Sequence, residues 1–401
     1  MAIKNYDLII VGGGMVGASL ACALKKSPLK IAVIEAFASD SKQQPSYDDR
    51  GIALSYGSQR IFEAMNLWSE LSSHSTAITD IHISDRGHFG VTRLSAQAEN
   101  VPALGQVIYA RSLGQVLNQS LTTQSNLDLI CPAKVTNLKQ HQHHVELELD
   151  DGQNLSAKLI VAADGGQSTI RQLLGLDVLK HDYHQTAITA NITPERPHEG
   201  RAFERFTDNG PIALLPMSEN RCSLVWTVKA GDESTILTLS DQQFLAQLQD
   251  RFGYRLGKLI RVGQRQSYPL KLIQTDQPIQ QRVVLIGNAA HNLHPIAGQG
   301  FNLGLRDVAA LTDVLSTNDN DCGHAQLLHD YCQWRQQDQD DVIQSTNTLV
   351  NLFSNNSPLI GHIRGAGLIL IDTLPPAKHW IAQKSMGRGR KQPKLGRGIS
   401  L

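Results

Sequence analysis

Residues 6–35 read YDLIIV, then GGGMVG, then an apolar-periodic stretch, then KIAVIE, and few folds accept that order. Residues 6–11 are apolar and β-branched enough for a strand buried on both faces. Gly12, Gly14 and Gly17 follow at once, and Val16, Leu20, Ala23 and Leu24 continue at helical spacing. The three glycines have separate uses: a tight turn, close approach of backbone to a pyrophosphate, and close packing of helix on strand. A second strand, residues 30–34, ends at Glu35, 18 residues after Gly17, where an acidic side chain accepts hydrogen bonds from an adenosine ribose. A carboxylate there disfavours a ribose phosphate, so FAD or NAD suits the site better than NADP.

A second glycine-rich segment lies late in the chain, RVVLIGNAAHNLHPIAGQGFNLGLRD at 282–307. Residues 283–286 suit a buried strand, and Gly287 breaks it where the chain turns. Gly298, Gly300 and Gly304 follow, and Gly304, Val308, Leu311 and Leu315 fall at helical spacing. The loop 295–300 therefore ends at a helix N-terminus, which favours an anion or an atom on which negative charge develops.

The length of 401 residues allows a large core and two domains. Lys plus Arg and Asp plus Glu both number 37, so no global field draws in nucleic acid. The five cysteines (22, 131, 222, 322 and 332) are scattered without CxxC spacing, which points to reduced thiols and to no metal site. His141, His143 and His144 read as a solvated turn, with no carboxylate or cysteine at ligand spacing. The nucleotide-binding strand starts too early for a signal peptide, and no apolar run reaches membrane-span length. The expected place is the cytoplasm.

Residues 36–49 read as a polar loop, and Arg50 stands at a loop-to-helix junction beside the nucleotide site. It pairs either with phosphate or flavin oxygens, or with Asp48 or Asp49 at the surface. Residues 76–110 are short β-like stretches, an excursion from the nucleotide domain; Arg111 then opens a helix with Leu113, Val116, Leu117 and Leu121 on one face. Residues 159–171, LIVAADGGQSTIR, repeat strand, turn and helix, with Asp164 and Gly165 at the turn and Ser168 as cap. Taken alone, Asp164 also fits a simple turn carboxylate.

The three segments GGGMVG with Glu35, ADGGQSTIR, and IGNAAHNLHPIAGQGFNLGLRD occur in one order over nearly the whole chain. This resembles the single-component, FAD-dependent aromatic hydroxylases typified by para-hydroxybenzoate hydroxylase. The HPIAGQGFNLGLRD wording, DRGIALS at 49–55 and EGRAFERFTDNGPIALLPM at 199–217 look like the ubiquinone-biosynthesis hydroxylases among them. ALGQV at 103–107 and ISDRGHFG at 83–90 point to those acting on 2-polyprenyl-6-methoxyphenol.

The resemblance implies an α/β fold: a Rossmann-like FAD-binding domain (1–75, 101–180 and 275–345), an inserted β-sheet substrate domain (76–100 and 181–274), and a C-terminal helical segment with a basic tail (346–401). It implies that Gly12, Gly14, Gly17 and Glu35 hold the ADP half of FAD, with Arg50, Arg111 and the backbone at Val135 close by. Asp164 and Gly165 match the motif for FAD and nicotinamide contacts, and Gly287 and Asn288 the glycine-aspartate pair that reaches the ribityl chain. Asn288 departs from the usual carboxylate; its amide carbonyl still accepts a hydroxyl. Pro295, Gly298, Gln299 and Gly300 would lie against the isoalloxazine. The implied chemistry is reduction by NAD(P)H or another donor, reaction with dioxygen to a flavin hydroperoxide, and attack on an electron-rich phenol carbon. His294 and Tyr268 are the candidate proton-handling groups, although a histidine beside proline also serves as a backbone-bonding spacer.

Alternating runs at 184–192, 201–206, 212–217 and 221–228 should form the sheet over the flavin. Phe203, Phe206, Leu215, Pro216, Met217 and Trp226 offer an apolar wall for a lipid-tailed phenol, with Phe203, Leu215 and Pro216 the nearest candidates. Rival readings are a sibling hydroxylase attacking another ring carbon, a small soluble phenol as substrate, and a flavin-binding scaffold in a ubiquinone-biosynthesis complex. No WxWxIP-like signature supports a halogenase. From Lys384 onward six residues are basic and none acidic, which suggests a disordered tail or attraction to anionic lipid of the inner membrane or to an assembly partner; a homo-oligomer is also compatible.

Overall fold

A computed structural model describes residues 3–38, 49–294, 296–316, 321–353, 358–388 and 391–400. The apolar run after Ile3 becomes the strand Lys4–Val11, the centre of an eight-stranded sheet. Its parallel core runs Val283–Leu285, Asn154–Ala162, Lys4–Val11, Ile31–Ile34 and Leu127–Ile130. Both faces are covered, as a parallel sheet requires. On one face the helices Met15–Ala23, Ala110–Thr122 and Gln299–Ser316 bury Leu20, Leu113, Leu117, Leu305 and Val308 against Leu8, Ile10 and Val161. On the other, the hairpin Val135–Gln140 and Val145–Leu149 packs Val145 and Leu147 against Ile9 and Ile160.

The second sheet has nine strands. Leu179–Pro194, Arg221–Lys229, Gly210–Met217 and Arg201–Thr207 run antiparallel, and Asp80–Asp85 joins the last of these in parallel. Gln266–Gln274 flanks Leu179–Pro194 and carries the short strand His291–Asn292 at the edge. One face is sealed by the helix Asp241–Phe252, whose Phe244, Leu248 and Phe252 pack on Ile188, Ile212, Leu214, Leu224 and Trp226. Ser240 starts that helix with a capping box, accepting from the Gln243 N–H while the Gln243 side chain accepts from the Ser240 N–H. The opposite face looks toward the glycine-rich segments. A three-stranded sheet, Gly51–Ser55, Gly105–Tyr109 and Ser75–Ile78, stands between the two larger ones.

The helices Ala325–Phe353, Pro358–Thr373 and Pro375–Ser385 close the chain. The architecture is the expected one: a Rossmann-like α/β unit, an inserted β-sheet and a C-terminal helical segment. The basic tail differs from the expected disorder, because residues 391–400 fold onto the nucleotide side. Leu395 is buried there, Arg60 donates to the Arg397 carbonyl, and the Lys394 N–H donates to Asp313. The Trp334 Nε1–H also donates to the Lys391 carbonyl, so one apolar anchor and three hydrogen bonds to the body account for its order.

Candidate functional site

Adjacent parallel strands end together, so their loops gather at one edge of the sheet. Gly12 follows Lys4–Val11, Glu35 follows Ile31–Ile34, Asp164 follows Asn154–Ala162 and Gly287 follows Val283–Leu285. This is the edge at which a doubly wound sheet takes a nucleotide. The glycines are sterically required. A Cβ on Gly12, at φ +102°, would lie 2.5 Å from the Ala163 carbonyl oxygen, and one on Gly17 would lie 1.9 Å from the Gly12 oxygen. Gly14 caps the following helix in an extended conformation. Glu35 holds the turn from below, its carboxylate accepting from the Gly13 N–H at 2.6 Å and the Phe37 N–H at 2.9 Å. Val135, buried at the head of its hairpin strand, is near the same edge, since the Ala133 N–H donates to the Glu35 carbonyl.

Asp164 accepts from the Ile170 N–H with one carboxylate oxygen, and the other is buried without a partner among the described residues. Burial pushes this carboxyl above its ordinary range. Arg171, unassigned by sequence beyond its helix, ties two loops together: its guanidinium donates to the Ala289 carbonyl at 2.8 Å and the Gly166 carbonyl at 2.7 Å. The Gly287 turn rests on Val16, against which Gly304 also packs. These glycine approaches, the acid at Glu35 and the orphaned Asp164 oxygen fit an extended dinucleotide.

The segment 287–307 is held by two side chains that motif spacing did not reveal. Asn302 is saturated: its carbonyl accepts from the Ser55 N–H and the Ser58 hydroxyl, and its amide donates to the Ala53 and Gly298 carbonyls. It fastens the N-terminus of Gln299–Ser316 to the strand Gly51–Ser55. Asp307 is fully buried, accepting from the Gly287 N–H and His291 on one oxygen and from Arg335 and Gln339 on the other. Burial alone would push its carboxyl up, but the charges of His291 and Arg335 outweigh that and hold it well below the usual carboxylate range. The only sequence signal for Asp307 was an acid inside an apolar helix.

A cavity of 590 Å3 lies between this segment, the strand Gly51–Ser55 and the open face of the nine-stranded sheet. Arg50, Asn288, Gly298, Gln299 and Gly300 line one side, and Leu215 and Tyr268 the other. Ala382, Ser385 and Met386, around the C-terminus of Pro375–Ser385, close it. The Arg50 guanidinium sits 4.9 Å over the Tyr268 ring, whose hydroxyl donates to Gln266.

A model of the FAD binding domain family matches residues 5–346. The chain belongs to that family. It is an FAD-dependent monooxygenase, with FAD as resident cofactor and dioxygen and a reduced electron donor, NAD(P)H or another, as co-substrates. It is 36% identical over 411 residues to the ubiquinone hydroxylase UbiL of Rhodospirillum rubrum, covering 100% of this chain and 94% of that one. With the 3-demethoxyubiquinol 3-hydroxylase of Escherichia coli it shares 31% identity over 400 residues, covering 96% and 100%. The p-nitrophenol 4-monooxygenase of Pseudomonas putida has the same fold, with a TM-score of 0.79 at 17% identity, covering 97% and 100%.

Several expected positions of the monooxygenase fall elsewhere. Pro216 pairs with Cys222 on the helix-covered side of its strand, because side chains alternate and Leu215 takes the cavity side. Phe203 borders the cavity, but its ring packs edge-on to Phe252 and against His82 on that same covered side. Phe206, Met217 and Trp226 are buried in separate clusters. His294 is buried outside the cavity lining: its Nδ1 accepts from the Ile296 N–H at 3.2 Å, and its Nε2 meets the Gln185 side-chain Oε1 at 3.3 Å. Burial pushes it down to about 4, so it is neutral at physiological pH. Arg111 is half-exposed, stacked on Tyr109 and paired with Asp49 at 2.6 Å. Gly165, at φ +83°, stands at the Asp164 turn, and Pro295 lies outside the described residues. The histidine turn also differs: Glu146, which sequence spacing passed over, meets both His141 and His144 at 3.3 Å because the hairpin register folds them onto it.

Proposed function

We propose that this monooxygenase hydroxylates the aromatic ring of a polyprenylphenol in ubiquinone biosynthesis, with 2-polyprenyl-6-methoxyphenol as substrate. The observation that carries the reading is the cavity: its wall joins the segment 287–302 to an apolar sheet face of Ile81, Ile83, Ala213, Leu215 and Val225. Two relatives that match across nearly their whole lengths are named as ubiquinone-pathway hydroxylases.

Bound FAD, reduced by NAD(P)H, supplies activated oxygen to an electron-rich ring carbon. The chain's own residues do the rest. Gly12, Gly14 and Gly17 would admit the pyrophosphate and Glu35 would take the adenosine ribose, with the backbone at Val135 close by. Asp164 and Gly165 would hold the middle of the cofactor, and Gly287 and the Asn288 amide its ribityl hydroxyls. Gly298, Gln299 and Gly300, at the start of an 18-residue helix, would offer the ring system a positive dipole end. Arg50 from the side of the strand Gly51–Ser55, and Tyr268 and Leu215 from the nine-stranded sheet, position the substrate ring. Ala382 and Met386 exclude water, which protects the oxygenating step from wasteful loss of peroxide.

The relatives favour one second reading, a sibling hydroxylase that attacks another carbon of the same ring. Mass analysis of polyprenylphenols in cells lacking the protein separates them. Accumulation of the methoxyphenol supports the first reading, a different precursor supports the second, and a purified protein that cannot be made yellow with FAD overturns both.

The same reading places the protein at the inner membrane as a peripheral enzyme. No helix among the described residues is long and apolar enough to cross a membrane. The helix Pro358–Thr373 nonetheless exposes Ile363, Ile369 and Leu370 on one face, with Leu374 and Trp380 beyond it. Glutamate at Ile363 and Leu370 is expected to abolish sedimentation with anionic vesicles while leaving stability within about 0.5 kcal/mol. Unchanged sedimentation would reassign that face to an assembly partner or a second copy.

A further inference from the structure

Glu204 stands in the cavity wall. The register runs Ile83, Glu204, Ala213, Val225 and Thr189 across five strands, and all five border the cavity. Glu204 is the one acidic side chain among the described residues lining it. Its chain neighbour Arg205 is on the opposite face and donates to the Arg251 carbonyl, so it does not neutralise Glu204. Burial pushes the Glu204 carboxyl up to about 7, and no neighbouring charge contributes to that displacement. The other charged or titratable groups lining the cavity are Arg50, beside the strand Gly51–Ser55, and Lys271 and Tyr268, on the same sheet as Glu204. A carboxyl kept in an apolar wall lowers stability relative to an apolar residue, and such groups concentrate at working sites.

The alternatives within the cavity are poor proton acceptors. Arg50 carries N–H donors and no acceptor, Lys271 pairs with Asp182 at 3.3 Å, and Tyr268 donates its hydroxyl to Gln266. Asn288, Asn292 and Gln299 carry amides. His294 lies outside the lining with both nitrogens engaged.

We propose that Glu204 is a catalytic residue that accepts the hydroxyl proton of the phenol as the ring is hydroxylated. The inference rests on the phenol reading above. The phenol O–H bond breaks, its proton goes to the Glu204 carboxylate and its electron pair moves into the ring. The ring carbon forms a C–O bond to one atom of dioxygen and then loses its hydrogen as a proton, restoring aromaticity. The second oxygen atom leaves as water, with the two electrons drawn from the reduced nicotinamide.

The test is a single turnover of the full-length flavoprotein, reduced with dithionite and mixed with dioxygen and a 2-methoxyphenol bearing one isoprenyl unit. In the wild type, product formation is expected to rise with pH through about 7, as the carboxyl ionises. Glu204→Gln is expected to lose about 100-fold in rate, to release hydrogen peroxide instead, and to lose that pH limb while keeping its flavin spectrum. Glu204→Asp, which keeps a carboxylate, is expected to keep the limb at a reduced rate. Glu204→Gln within about threefold of wild type with an unchanged limb overturns the assignment alone, as does an Asp variant without the limb. A wild type that hydroxylates no phenol of any tail length overturns the substrate reading and this proposal together.

Discussion

The dinucleotide edge and the sheet wall of the cavity differ in what does the recognising. On the cofactor side the surface is largely backbone: Gly12, Gly17 and Gly287 leave no room for a side chain, and the loops are braced from behind by Glu35, Arg171, Asn302 and Asp307. On the substrate side the surface is side chains standing on antiparallel strands, and their identity changes with each step of two along the chain. The backbone wall suits a ligand that is the same in every member of a family. The side-chain wall can be rewritten one residue at a time without disturbing the cofactor.

That contrast is broken most severely from behind the cofactor wall. Asp307→Asn would leave the buried His291 and Arg335 without their shared carboxylate, and about 3–5 kcal/mol of stability should be lost, read as a fall in Tm with loss of bound flavin. The pH dependence has a definite sign. The Asp307 carboxyl is held below its unfolded value, so its contribution is complete at neutral pH and fades as pH falls below about 4; that acid limb should be smaller in the Asn variant.

Next in size is Gly17→Ala, whose added carbon would lie 1.9 Å from the Gly12 oxygen. Overpacking of about 1–3 kcal/mol should weaken FAD binding by about tenfold or more, measured by flavin titration, with the substrate wall untouched.

The substrate side is probed by a neighbouring pair. Leu215→Ala should raise KM for the prenylphenol by about tenfold, the worth of a few methylenes in an apolar pocket, while Pro216→Ala should leave KM unchanged because its ring faces away. Equal effects from both would mean that the strand alternation does not govern recognition.

A further effect, on stability and independent of rate, is expected at Glu204. In the unfolded chain this carboxyl ionises near its ordinary value, whereas burial raises it to about 7 in the fold, so ionisation weakens the native state. The loss develops as pH rises from about 4 and is complete above about 7. Glu204→Gln should therefore melt higher than wild type at pH 8 and alike at pH 4, whatever its rate.

Much of the cofactor wall was legible from spacing. Strand, glycines, helix and acid occur consecutively between residues 6 and 35, and ADGG and IGNA each terminate a strand of the same sheet. The substrate wall was legible as strands but not as a surface. Phe203 and Pro216 looked as apolar as Leu215, and only the register with the neighbouring strands turns them onto the helix side. Glu204 passed unremarked because a lone glutamate in a strand usually faces water. Asn302 and Asp307 sit inside a motif already noticed, yet their partners come from residues 53–58 and 335–339, far away in sequence.

By itself the amino-acid sequence determined the α/β class, the dinucleotide edge and the chemistry carried there, because those depend on local order: where the chain turns, where a side chain cannot fit, and which acid follows. The tertiary structure alone decided which side chains face the cavity, that His294 is buried beside it and not in it, and that a carboxyl group stands among the apolar side chains of its wall. Those outcomes depend on strand register and on packing between segments more than 100 residues apart, as between Glu204 of one strand and Ile83 of the next, and neither is written in local spacing.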